Sequence, residues 1–160
     1  ADEIDIVLAL NAFMVGDYET AAEEIRACRK AVDAAGERVG RKVVLKVIIE
    51  SGVLSTPERI ADASFLAMEA GADFIKTSTG KGYPGATPEA AYTMAKVIKQ
   101  YYDLTGRKVG LKVSGGIRTA EDAVKYYTIV KEVLGNEWLN KDSFRIGASS
   151  LVGDIENRLK

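Results

Sequence analysis

Val43-Val-Leu-Lys-Val-Ile-Ile49, then Thr56-Pro57 opening a stretch that closes at Gly71, then Phe74-Ile-Lys-Thr-Ser78: this run of the chain sets the fold class. The two outer segments are β-branched and apolar, as strands buried on both faces require. Between them, Thr56 is a helix N-cap, Pro57 a first-turn proline and Gly71 a stop. Strand, helix, strand in that order calls for parallel pairing through a helical crossover.

The same unit recurs in both directions. Upstream, Asp5-Ile-Val-Leu-Ala-Leu10 reads as a strand. A helix over Tyr18 to Ala35 follows, with Ile25, Cys28, Val32 and Ala35 on one face, Asp17 as its cap and Gly36 as its end. Downstream, Thr87-Pro88-Glu89 starts a helix running to about Gly106, and Val109-Gly-Leu-Lys-Val113 is a fourth strand. Thr119-Ala-Glu-Asp122 opens a helix that stops near Gly135, and Phe144-Arg-Ile-Gly147 is a fifth strand. No linker or low-complexity tract divides the 160 residues, so residues 1–160 are expected to form one α/β domain. Either an open doubly wound sheet or a (β/α)8 barrel satisfies this pattern, but a closed barrel needs eight strands.

Composition narrows the chemistry. With 22 basic and 23 acidic side chains, nothing advertises a general affinity for nucleic acid or an anionic membrane, and any anion site must be local. One cysteine, Cys28, builds no disulfide framework. No span of about 18 apolar residues and no leader pattern occur, so a cytoplasmic protein is expected. The absence of histidine removes Ser-His and Cys-His nucleophile pairs and histidine metal sites together, leaving lysine, carboxylate or tyrosine for proton work.

Three strands each carry a lysine in apolar surroundings: Lys46, Lys76 and Lys112. A single one reads as an ammonium that snorkels or pairs with a carboxylate. Three at similar strand positions read as side chains converging on the mouth of a barrel, where mutual repulsion and desolvation would favour the neutral amine that attacks a carbonyl. Asp5 and Glu50 flank that mouth, placed to orient an ammonium or move protons, or simply to pair. Three loops after strands, Ser78-Thr-Gly-Lys-Gly82, Ser114-Gly-Gly-Ile-Arg118 and Gly147-Ala-Ser-Ser150, suit a phosphate, though glycine pairs also make plain tight turns. Gly80-Lys81 is not a nucleotide P-loop, because Ile75 stands where the first glycine should and Gly82 follows the lysine.

Leu45-Lys-Val-Ile-Ile-Glu-Ser-Gly52, Phe74-Ile-Lys-Thr-Ser-Thr-Gly-Lys81, Lys112-Val-Ser-Gly-Gly-Ile-Arg-Thr-Ala-Glu-Asp122 and Phe144-Arg-Ile-Gly-Ala-Ser-Ser150 closely resemble the deoxyribose-phosphate aldolases, in order and along essentially the whole chain. The resemblance implies a (β/α)8 TIM-barrel enzyme, free of metal and cofactor, that reversibly cleaves 2-deoxyribose 5-phosphate to acetaldehyde and glyceraldehyde 3-phosphate in cytoplasmic deoxynucleoside catabolism. It implies Lys76 as the Schiff-base lysine, Lys112 as the lysine that perturbs it and assists proton transfer, Asp5 as the relay carboxylate and Lys46 as their support. Phosphate would be held by Gly80, Lys81, Gly115, Gly116, Gly147, Ser149 and Ser150. On that resemblance the chain starts at what would be the fourth strand, so a partial barrel of about five parallel strands is expected. Such a sheet should expose edges and an apolar inner face, and so aggregate, join a partner as in a homo-oligomer, or belong to a longer protein. Two other readings remain: a non-catalytic fragment or phosphate-binding module, and a different phosphosugar lyase on the same fold.

Overall fold

A computed structural model describes residues 1–160. Five strands form one sheet: β1 (Glu3–Val7), β2 (Val44–Ile48), β3 (Phe74–Lys76), β4 (Gly110–Ser114) and β5 (Phe144–Gly147). They lie in sequence order and every neighbouring pair is parallel, as the repeating strand–helix units require. The outer strands β1 and β5 are each paired on one side only. The crossovers are α2 (Tyr18–Arg38), α4 (Pro57–Glu69), α5 (Pro88–Thr105) and α6 (Ala120–Leu134), joined by the shorter α1 (Leu10–Met14), α3 (Ser51–Leu54) and α7 (Leu151–Arg158).

The caps form as the sequence dictates. Asp17, Thr56, Thr87 and Thr119 accept from the backbone N–H three residues on, at 3.1, 3.3, 3.1 and 3.2 Å. Each therefore satisfies one of the N–H groups that a helix start leaves without a partner. Gly106 ends α5 in the left-handed conformation.

Three expectations are corrected. The first strand is Glu3–Val7 rather than Asp5–Leu10: its register is fixed by Glu3 opposite Val44, and Leu10 already begins α1. Apolar content alone misplaced it, because two of its five residues are acidic. Gly36 does not end α2 but lies buried within it, since a Cβ there would come within 2.5 Å of the Arg41 carbonyl where the chain turns back. The third correction concerns the inner face of the sheet, which is not simply apolar but sets a charged cluster beside Phe74, Ile48 and Val7.

Register explains that face. Ile6, Val47, Ile75, Leu111 and Phe144 form one row across the sheet, and with Ile4, Leu45 and Val113 they pack beneath the helices in a core of 35 buried residues and their neighbours. Side chains alternate along a strand, so the other face presents Asp5, Lys46, Phe74 and Gly110 in one row and Val7, Ile48, Lys76, Lys112 and Arg145 in the next. Gly110 leaves room for the Phe74 ring, over which the Arg145 guanidinium sits at 5.6 Å. The sheet is strongly curled. In a flat sheet β1 and β5 would stand roughly 19 Å apart, four spacings of ~4.8 Å, yet Arg145 reaches Glu3 at 2.8 Å across the concave face.

Leu111, fully buried in β4, gives a direct test of this core. Leu111→Ala is expected to lower the free energy of unfolding in urea by about 2–5 kcal/mol. Val124→Ala, on the exposed side of α6 at 59% exposure, should change it by less than about 0.5 kcal/mol. Equal losses for the two would contradict the packing described.

Candidate active site

The concave face gathers its charges on one carboxylate. Asp5 on β1 accepts from Lys46 Nζ on β2 at 3.1 Å through Oδ1, and from Lys76 Nζ on β3 at 2.8 Å and Lys112 Nζ on β4 at 3.0 Å through Oδ2. Lys46 also meets Glu3 at 2.6 Å, and Glu3 in turn holds Arg145. The three lysines thus converge as expected, but around Asp5 rather than as bare neighbouring cations. Lys46 is buried at 2% exposure, which suits a support, whereas Lys76 and Lys112 reach the wall of a cavity.

Two carboxylates here face four cations, so the inner face carries a surplus of positive charge. Burial of Asp5 pushes its pKa up, but hydrogen bonds from Lys76, Lys112 and Lys46 outweigh burial and hold the carboxyl well below the ordinary aspartate value. Glu3 is lowered too, first by its hydrogen bond with Lys46 and then by that with Arg145.

Above this hub lies a cavity of about 430 Å³ at the carboxyl ends of β3, β4 and β5, lined by the two lysines and the three glycine-bearing loops. Gly80, Gly115, Gly116, Gly147 and Ser149 line it, and Thr79, Ser114 and Arg118 join them. Lys81 and Ser150 are not brought into the wall: both are exposed, and the Lys81 backbone is folded back on Thr79. The N–H groups of Gly80, Gly115, Gly116, Ala148 and Ser149 have no acceptor within the protein. Unpaired N–H groups around a cavity, with Lys76, Lys112 and Arg118 beside them, are what an anion needs. No group of three or more His, Cys, Asp or Glu side chains is placed to hold a metal ion.

A buried polar belt sets the loops. Thr77 Oγ1 donates to Ser114 O at 3.1 Å and accepts from Ser114 N at 3.0 Å, while Ser114 Oγ donates to Ser78 O at 2.7 Å. Ala86 N donates to the carbonyls of Ser114 and Gly115, and the Tyr126 hydroxyl donates to Ala86 O. Gly115 has φ +89° and packs on Gly85, where a Cβ would come within 2.5 Å of the Gly115 carbonyl carbon. Glu50 does not orient a lysine; its carboxylate accepts from Thr79 N instead. The sequence places Ser78 and Ser114 at the start of two phosphate loops and Thr77 in a strand, but does not reveal that the three brace β3 against β4. Their burial was the missing signal.

Comparison with known proteins agrees with this geometry. Residues 1–151 match the DeoC/LacD family aldolase. The chain belongs to that family. It is 43% identical over 159 residues to the deoxyribose-phosphate aldolases of Homo sapiens and of Mus musculus, covering 99% of this chain and 48% of each relative. The chain therefore spans about half the length of the curated relatives it matches. Among solved structures, the deoxyribose phosphate aldolase from Aeropyrum pernix superposes with a TM-score of 0.71 at 28% identity, over 100% of this chain and 56% of that one. An aldolase named QR15 gives 0.74 at 31% identity, over 99% and 61%. The five-stranded sheet is thus a partial barrel of the aldolase type.

Because the Asp5 carboxyl titrates lower folded than unfolded, the stability it contributes is present above the unfolded value of about 3.9 and is lost as pH falls through the folded value. Asp5→Asn should therefore unfold at lower urea than the parent protein at neutral pH, with the gap closing progressively below about pH 4. A gap independent of pH would contradict the ion-pair hub.

Proposed function

We propose that this chain carries the Schiff-base and phosphate-binding side of a deoxyribose-phosphate aldolase, with Lys76 as the nucleophile. The observation that supports it most is the contact of Lys76 and Lys112 with one Asp5 oxygen at the wall of a cavity ringed by free backbone N–H groups. Lys76, once its ammonium has given up a proton to solvent water, adds to the aldehyde carbon of open-chain 2-deoxyribose 5-phosphate, and loss of water leaves an iminium. The hydroxyl two carbons away from the iminium carbon gives up its proton, and the bond from its carbon to the carbon adjacent to the iminium breaks. Its electron pair flows into the iminium to form an enamine, and glyceraldehyde 3-phosphate departs. Protonation of the enamine carbon and hydrolysis then free acetaldehyde and the amine. Asp5, which both lysines contact, and Lys112 are the groups that carry these protons, directly or through water.

The phosphate sits among Gly80, Gly115, Gly116, Gly147 and Ser149, far enough from the reacting carbons to anchor the substrate in both ground and transition states. By the same reading the substrates are small phosphosugars and aldehydes, and the setting is cytoplasmic deoxynucleoside breakdown. No helix is long and apolar enough to cross a membrane. The one-sided pairing of β1 and β5 supports association with further strands or copies, and the Aeropyrum pernix relative is described as tetrameric. The open edges favour one second reading: a phosphate-binding module that does no chemistry by itself.

Borohydride reduction in the presence of acetaldehyde separates the two. A folded protein should gain an ethyl group on Lys76, located by peptide mass, with none in Lys76→Leu and trapping about 100-fold slower in Asp5→Asn. Folded protein without an adduct would leave only the binding module.

A further inference from the structure

Glu50 is a carboxylate out of place. It lies two residues past the end of β2 at 2% exposure, and none of the ion pairs on the neighbouring face includes it. A buried charge without a cation is costly and persists where something else requires it. Its backbone is equally unusual, with φ 51° and ψ 61°, a left-handed conformation that glycine adopts freely and glutamate does not. Glycine would ease the backbone, so the side chain must matter.

What Glu50 touches identifies its part. The residues around it grip the chain that leaves β3: Ile49 N donates to Lys76 O at 3.0 Å, and Ser51 N donates to Thr77 O at 2.8 Å. The left-handed turn at Glu50 lets both bonds form and directs its carboxylate onto Thr79 N, with both oxygens at 3.2–3.3 Å. Thr79 in turn braces Lys81, its hydroxyl accepting from Lys81 N and donating to Lys81 O, both at 3.2 Å. Gly80, at φ +78°, sits between them with its own N–H unpaired and lining the cavity. Glu50 itself lies outside the cavity wall.

We propose that Glu50 is a positioning residue for the anion subsite: by accepting the Thr79 N–H it fixes the turn that turns the Gly80 N–H toward the phosphate. The inference rests on the phosphate reading of the cavity but not on covalent chemistry at Lys76. The carboxylate never meets the substrate. It occupies the Thr79 N–H, which leaves the next N–H as the free donor, and it sets that donor on the same rigid frame that carries Lys76.

Inorganic phosphate binding, measured by calorimetry or by amide shifts of Gly80, Gly115 and Gly116, tests this without requiring turnover. Glu50→Leu should bind phosphate at least tenfold more weakly while its thermal midpoint stays at or above that of the parent, because an apolar side chain replaces a buried carboxyl that has no cation partner. Glu50→Gln, which keeps an acceptor oxygen in the same shape, should restore affinity to within threefold. A merely structural role would lower the midpoint and affinity together, and that result overturns the proposal. So would a Glu50→Leu protein that binds as the parent does, a Glu50→Gln protein no better than Glu50→Leu, or a parent protein that binds no phosphate. Should Glu50→Leu fail to fold, Glu50→Asp, one methylene short of Thr79, decides: tenfold weaker binding supports the role and unchanged binding refutes it. Failure of borohydride trapping with this pattern intact would remove the aldolase chemistry and leave the positioning role standing.

Discussion

The Asp5 carboxylate accepts hydrogen bonds from lysines on three different strands, and much of the molecule answers to that demand. A carboxylate on β1 touches an ammonium on β4 only if the sheet between them curls, and the Glu3–Arg145 pair extends the same curl to β5. Four cations that would otherwise repel one another across a concave surface are held by two anions. The sheet can then present charge on one face while the other face, through strict alternation, is buried beneath the helices.

That division of labour is why stability and chemistry separate so cleanly along each strand. Leu45, Val47, Ile75, Leu111 and Val113 anchor the fold, while Lys46, Lys76 and Lys112, one position away, are left for the site. The loops that follow the strands add what the lysines lack: backbone N–H groups without acceptors, held in place by Thr77, Thr79, Ser114 and Glu50. Membership in the DeoC/LacD family accords with this arrangement, but the proposed chemistry rests on the contacts themselves.

The alternation of strand and helix, the helix caps and the three lysines were legible because each is written locally. A β-branched run, a Thr-Pro pair and a charged residue within an apolar string need no knowledge of distant neighbours. The start of β1 was not, because Glu3 and Asp5 belong to a strand through pairing with Val44 and Lys46, about forty residues on. The charge of the inner face was misjudged for the same reason. Strand apolarity, averaged over both faces, hid the polar row that register reveals. Glu50 could be flagged as a carboxylate near the mouth, but its partner is a backbone N–H set by the turn after β3, which no side-chain pattern encodes. The exclusion of Lys81 and Ser150 from the cavity wall is likewise a matter of loop conformation.

The hub can be watched directly through the carboxyl carbon of Asp5 in a 13C-aspartate-labelled protein, followed by NMR as the pH is lowered while the fold persists. Ionisation should be retained well below the ordinary aspartate value of about 3.9, and the carboxyl should return to that ordinary range when Lys76 and Lys112 are both replaced by methionine. A carboxyl that titrates near 3.9 in the parent protein would mean that the three lysines do not share Asp5, and the account of both the curled sheet and the site would fail.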